Sequence, residues 1–385
     1  MTDRFKNAII LIAMIAQFSP AFAKKHPKKP TATAITVREE RLATAATMYA
    51  HRPEAMAFAD DLAERRDLDR EAVRAAIAQA RRLPQVERLI LPPPTAQAKN
   101  WRAYRARFIE PVRVAAGLRF WRAHADTLAR AEAETGVPAE IIVGILGVET
   151  IWGQQMGTFR VIDTLATLAF DFPAAHPRAT ARQAFFRDEL EQFLTRAQRT
   201  GTDPLQPRGS YAGAMGMPQF MPSSVAKYAV DFDGDGTVDL NTPADAIGSV
   251  AHYLRAFGWK PGVPTHFQVE LHATPAQLDA LLAPDILPSF SAARLAELGA
   301  TPEPAAQSYG GPLALVELQN GGDAPSYVLG TENFYAITRY NWSSYYAMAV
   351  IELGLAVRKA WEAHARSTQT ANEPVATAAE PRRER

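Results

Sequence analysis

The sequence predicts an α+β fold, mostly α: a helical N-terminal subdomain, a helical core and a small strand-rich insert. Three observations carry this. Apolar residues recur at three- and four-residue spacing from Arg41 to Leu91 and from Trp101 to Thr135, the period of an amphipathic helix. The stretch Pro138–Gly153 is apolar on nearly every side, which marks a central buried helix. From Val263 to Ala336 the texture changes to short alternating runs between Gly-rich turns, the pattern of strands.

Each element follows in order. Arg4 and Lys6 precede the apolar run Ala8–Ala16, and Pro20-Ala21-Phe22-Ala23 offers an Ala-x-Ala cleavage site, so residues 1–23 read as a secretory signal peptide. The apolar run falls short of the roughly 20 residues needed to span a bilayer. Residues 24–40, rich in Lys, Pro and Thr, read as a flexible lead-in. The helical subdomain, 41–100, holds a helix over Ala55–Glu64 and another over Glu71–Arg82 capped by Asp69, and Pro92-Pro93-Pro94 ends it. The core, 101–262, opens with helices over Trp101–Phe108 and Pro111–Thr135; Gly136 stops the second and Pro138 starts the next. In the insert, 263–336, Phe267–Leu271 and Leu313–Leu318 are the clearest strands. A helix returns to the core over 337–366, with Met348, Leu353 and Val357 among its apolar positions, and 367–385 reads as a disordered tail.

Composition narrows the chemistry. A net charge of +1, from 42 basic and 41 acidic side chains, gives no broad positive field for nucleic acid or an anionic membrane, and a neutral polymer fits better. The chain has no cysteine, which removes disulfides, thiolate metal sites, a cysteine nucleophile and a lipid-anchored cysteine. Catalytic groups must therefore be oxygen and nitrogen groups.

Glu149, near the end of the apolar segment 138–153, is the candidate catalytic residue. Burial penalises its charged form, and the negative end of a helix dipole does the same. Both raise its pKa, which suits an acid that protonates a glycosidic oxygen near neutral pH. A Glu paired with Arg160 or Arg182 would be purely structural instead, and composition alone does not choose. A second motif runs from Gly209 to Ser224, GSYAGAMGMPQFMPSS. Its small residues let backbone approach a ligand, and Ser210 and Gln219 can bond sugar hydroxyls or the acid. A tight helix-packing turn would account for it equally well. A third, Tyr340-Asn341-Trp342-Ser343-Ser344-Tyr345-Tyr346, offers rings that stack on pyranose faces, with ordinary core packing as the alternative.

Together, Gly147-Val148-Glu149-Thr150, the Gly-Ala-Met-Gly-x-x-Gln-Phe-Met-Pro-Ser-Ser run, Asp245–Val250 and Phe334–Asn341 resemble the lytic murein transglycosylase B family over roughly Tyr49 to Ala360. The resemblance implies a lysozyme-like core. It further implies non-hydrolytic cleavage of the β-1,4 bond between N-acetylmuramic acid and N-acetylglucosamine, leaving a 1,6-anhydromuramoyl end. Glu149 matches the family's single acid and base, and Tyr104, Ser210, Gln219, Tyr340, Asn341 and Tyr346 look like its substrate-lining positions. One departure is visible: Phe185 stands where a Tyr is expected, in a segment with extra residues around His176. A hydrolytic muramidase would instead need a second carboxylate such as Asp163 or Asp171, and an inactive peptidoglycan-binding protein is a third reading.

The loop Asp231–Thr242 has oxygen side chains at its first, third and fifth positions and Gly at its sixth, the spacing of an EF-hand loop. Its expected ligands are Asp231, Asp233, Asp235, Thr237 and Thr242. The twelfth position is Thr242 rather than a bidentate acid, and a helix N-cap there is an adequate alternative. The resemblance implies one structural calcium in this loop and no cofactor for the chemistry. The expected partner is the glycan strand of peptidoglycan, with cell-wall synthesis or hydrolysis enzymes as further candidates. Nucleic acid and a stable membrane anchor are not expected, and a periplasmic monomer is.

Overall fold

The structure is a computed structural model that describes residues 48–93 and 99–372. The signal peptide, the lead-in and the end of the tail lie outside the described residues. Three short helices come first: α1 (Pro53–Arg66), α2 (Arg70–Ala78) and α3 (Pro84–Leu89). Asp69 caps α2 by accepting the Ala72 N–H. Next are α4 (Trp101–Ala106), α5 (Pro111–Ala123), α6 (Ala125–Thr135) and α7 (Ala139–Thr150). The single helix expected over Pro111–Thr135 is broken at His124, where φ −128° and ψ 26° leave the helical region.

A two-residue bridge, β1 (Phe159–Arg160), precedes α8 (Val161–Phe170) and α9 (Ala179–Arg199), and pairs with β2 (Arg208–Gly209). Beyond the loop 210–221 lie α10 (Pro222–Tyr228) and α11 (Pro243–Ala256). The insert contains β3 (His266–Phe267), β4 (Val269–Leu271), α12 (Pro275–Leu282), α13 (Ala292–Glu297), β5 (Ala300–Pro302), α14 (Pro304–Gln307), β6 (Ala314–Asn320) and β7 (Asp323–Gly330). The expected strand over Phe267–Leu271 is divided between two sheets: β3 pairs with β7, and β4 with β5. At the break, Gln268 bonds Glu303 through its N–H and its carbonyl. The chain closes with α15 (Glu332–Thr338) and α16 (Ser344–Asn372). The last helix thus runs past residue 367, where the sequence predicts a tail to begin.

Three apolar cores organise these elements, and they cut across the sequence order. Leu62, Ile77 and Val86 of the first helices share one core with Leu165, Phe186 and Leu190 of α8 and α9. A larger core joins α5–α7, α11, α15 and α16, and a small one fills the insert. The range 101–262 therefore contributes to two cores, because apolar faces meet by shape rather than by chain proximity. Among the described residues no helix is long and apolar enough to cross a membrane.

One crossing positions everything that follows. Helices α7 and α16 run antiparallel in backbone contact, which their glycines permit. A Cβ on Gly144 would sit 2.2 Å from the Val350 carbonyl oxygen, and one on Gly354 2.0 Å from that of Glu140. Ile142, Ile145 and Leu146 fill the remaining surface of α7 and are fully buried, each contributing about 1.5–3 kcal/mol. The antiparallel register sets the start of α16 over the end of α7.

Candidate active site

Glu149 is the penultimate residue of α7 and is 8% exposed. The helix stops directly after it, since Ile151 and Trp152 take left-handed φ values of 52° and 51°. Three bonds hold this end. The Trp152 indole donates to the Val143 carbonyl at 3.0 Å, Thr150 Oγ1 donates to the Met217 carbonyl at 2.9 Å, and Arg113 donates to the Gly147 carbonyl at 2.9 Å. Glu149 thus projects from a fixed backbone.

Its carboxylate meets Tyr346, whose hydroxyl donates to Oε1 at 2.6 Å. Burial pushes the Glu149 carboxyl up to about 7, and the Tyr346 bond pulls it the other way. The arginine pairing left open by the sequence is not found: Arg160 binds Asp163 through Nε and Nη2 at 2.9 and 2.6 Å, and Arg182 lies over the rings of Phe185 and Phe186. Among the described residues Glu149 takes part in no ion pair, and Tyr346 is its hydrogen-bond partner.

The two carboxylates given as examples for a hydrolase, Asp163 and Asp171, are committed elsewhere. Asp163 also accepts the Arg81 N–H at 2.9 Å, and Asp171 accepts the Tyr49 hydroxyl at 2.6 Å and Arg52 at 3.1 Å. Both tie α8 and its end to the N-terminal helices.

The substrate-lining candidates fall into two groups. Tyr346, Tyr340 and Tyr104 gather at Glu149: Tyr340 stacks on Tyr346 with centroids 6.2 Å apart, and its hydroxyl bonds the Pro218 carbonyl. The phenol of Tyr104 is raised by burial and by the Glu149 charge. Gln219, at φ 52°, donates its side-chain N–H groups to Gly216 and Met156 carbonyls at 2.9 and 3.2 Å, which leaves its amide oxygen as the remaining polar group. Asn341 follows Tyr340 and is 5% exposed. Ser210 Oγ accepts the Ala212 and Ala214 N–H groups at 3.2 and 3.1 Å, which leaves its O–H as the group that can donate. Ser210 thus shapes the loop. Phe185 packs edge-on against Phe186, and His176 edge-on against Phe172, at the rim of the N-terminal core.

Two residues were missed by the sequence reading. Thr150 ties the helix end to the Gly-rich loop, and only its adjacency to Glu149 hints at it. Tyr253 on α11 lies 4.8 Å from Tyr340, centroid to centroid, with its hydroxyl on the Arg339 carbonyl; it looks like an ordinary apolar position of an amphipathic helix.

In the acidic loop, Asp231, Asp233 and Asp245 each bring a carboxylate oxygen within 4.8 Å of the others. Two of the expected ligands, Asp231 and Asp233, lie in this cluster. Thr242 accepts the Asp245 N–H as N-cap of α11 and donates to the Asp239 carbonyl, so it is spent on the helix. Asp235 accepts the Thr237 N–H at 2.7 Å, as Asp231 accepts the Gly234 and Gly236 N–H groups. Asp245, 1% exposed, was not among the expected ligands; it lies with Asp231 and Asp233 because one turn of α11 swings it back over the loop. An all-oxygen anionic donor set fits a hard divalent cation such as calcium.

The family model described as the transglycosylase SLT domain matches residues 50–355. The chain belongs to this family. It is 42% identical over 331 residues to the membrane-bound lytic murein transglycosylase B of Escherichia coli, covering 80% of this chain and 84% of that protein. The Escherichia coli lytic transglycosylase SLT35, solved in complex with calcium, matches with a TM-score of 0.71 and 40% identity over 84% of this chain and 98% of that one. SltB3 from Pseudomonas aeruginosa, in complex with NAG-anhNAM-pentapeptide, matches with a TM-score of 0.64 and 31% identity over 79% of each chain. The transglycosylase SLT assignment agrees with the expected lysozyme-like, mostly helical fold.

Proposed function

We propose that the protein is a peptidoglycan lytic transglycosylase in which Glu149 is both acid and base. Protonated Glu149 gives its proton to the oxygen linking N-acetylmuramic acid to N-acetylglucosamine, and that bond breaks with its electrons on the leaving oxygen. The Glu149 carboxylate then takes the proton from the muramoyl C6 hydroxyl as that oxygen bonds C1. The product is a 1,6-anhydromuramoyl end, Glu149 is protonated again, and no water is consumed. An intramolecular hydroxyl carries the proximity advantage that a second carboxylate would otherwise have to supply to a water.

The observation that carries this reading is one buried carboxyl, bound to a tyrosine and to no cation, while Asp163 and Asp171 are held by arginines. Tyr104 would supply a stacking face, and Gln219 and Asn341 polar contacts, for the sugar, with the buried rings of Tyr340 and Tyr346 behind them as the floor of the site. The test is clearance of purified sacculi by wild type and Glu149→Gln; equal rates would end the proposal. Calcium, held by Asp231, Asp233 and Asp245, would fix the loop ahead of α11 and has no part in the chemistry. The substrate and the N-terminal leader sequence together support a periplasmic location.

A further inference from the structure

Arg339 directly follows the last residue of α15. Its guanidinium carbon lies 5.6, 5.7 and 5.3 Å from the ring centroids of Phe257, Tyr335 and Trp342. Among the described residues no ion pair includes it. Two rings from its own stretch of chain and one from the end of α11 fix its position and strip part of its hydration, which strengthens its attraction for an anion. Its own carbonyl is anchored by the Tyr253 hydroxyl at 2.7 Å.

The side chain lines a recess shared with Gln219, Ser224 and Tyr340. That recess, about 20 Å³, has room for one small polar group and not for a sugar ring. It adjoins the catalytic centre, because Tyr340 stacks on the Tyr346 that bonds Glu149. Among the described residues no hydrogen bond from the Arg339 guanidinium N–H groups is seen, and a planar guanidinium is suited to a carboxylate.

We infer that Arg339, held on its three rings beside Gln219 and Ser224, binds a carboxylate carried by the muramoyl substituent of the glycan. This rests on the transglycosylase reading. Two sources offer the same chemistry: the lactyl carboxylate of an unsubstituted muramoyl residue, and an acidic group of a peptide stem.

The experiment uses the full-length protein and three glycan oligomers, whose muramoyl groups carry a neutral lactyl methylamide, a free lactyl carboxylate or a peptide stem. Wild type should cleave all three to anhydro ends. Arg339→Met should raise KM about tenfold on one or both carboxylate-bearing oligomers, the size of a lost charged hydrogen bond, and leave the methylamide oligomer within about twofold. The oligomer affected names the source. Arg339→Lys keeps the charge on the rings and loses the fork, so it should show a smaller KM increase with the same selectivity, and it decides the matter if Arg339→Met does not fold. An equal loss on all three oligomers, or no change on any, would overturn the inference. A wild type that makes no anhydro ends would sink the functional reading and this inference with it.

Discussion

The hydroxyl of Tyr346 donates a 2.6 Å hydrogen bond to Oε1 of Glu149 across 197 residues of sequence. It joins the first turn of α16 to the last turn of α7, and it exists because Gly144 and Gly354 let the two backbones touch. The bond occupies one carboxyl oxygen and leaves the other for the substrate. It also stabilises the charged form, so it moderates the rise that burial imposes on the carboxyl.

Activity should therefore fall as pH rises through about 7, where Glu149 loses the proton it must donate. Replacing Tyr346 by Phe removes a contact that favours the carboxylate. The alkaline limb of kcat/KM should move to higher pH, and the maximum should drop about tenfold. A pH–rate profile of the two proteins checks both; a limb that moves down contradicts the assignment.

Glu149→Gln should lower turnover about 10³-fold while making the fold more stable at alkaline pH. The sign follows from proton binding. A folded-state value near 7 against 4.5 for the free group means that the native protein holds the proton more tightly. Stability falls as pH rises from 4.5 to 7 and is level above, a loss of about 3 kcal/mol. The variant escapes it, so its advantage in Tm should be small at pH 4 and full at pH 8.

Much of this site was legible in the sequence, and the remainder depends on contacts that no local pattern carries. Glu149 stood out as the one acid near the end of an apolar helix, and its neighbours Gly147 and Thr150 marked the motif. The Tyr346 bond required the antiparallel crossing of two helices, which periodicity does not reveal. The part of Ser210 in holding the turn at Ala212 and Ala214 depends on backbone geometry that its residue type does not reveal. Twelve-residue spacing pointed to Thr242 in the acidic loop, whereas the third carboxylate comes from Asp245 in the next helix. The division of Phe267–Leu271 at Gln268 depends on which strands arrive as partners.

Thr150→Val should destabilise the protein by about 1–3 kcal/mol, because it leaves the Met217 carbonyl without its donor and the Gly153 N–H without its acceptor in a buried setting. Thr150→Ser keeps both bonds and should recover most of the loss. Denaturant unfolding of the pair checks this.

Calcium should raise the Tm of the wild type and not that of Asp233→Ala, which removes the oxygen ligand. Thr242→Ala should lose about 1 kcal/mol of helix capping and still respond to calcium. Thermal unfolding with and without the ion separates ligand from cap, and a Thr242→Ala protein blind to calcium would reverse the assignment.

The most direct measurement is mass spectrometry of sacculi digested in water enriched in oxygen-18. If a single carboxyl shuttles one proton while the sugar's own hydroxyl closes the ring, the new muramoyl ends will be one water lighter than reducing ends and carry no label. Labelled reducing ends from the wild type, absent with Glu149→Gln, would show that water is the attacking group.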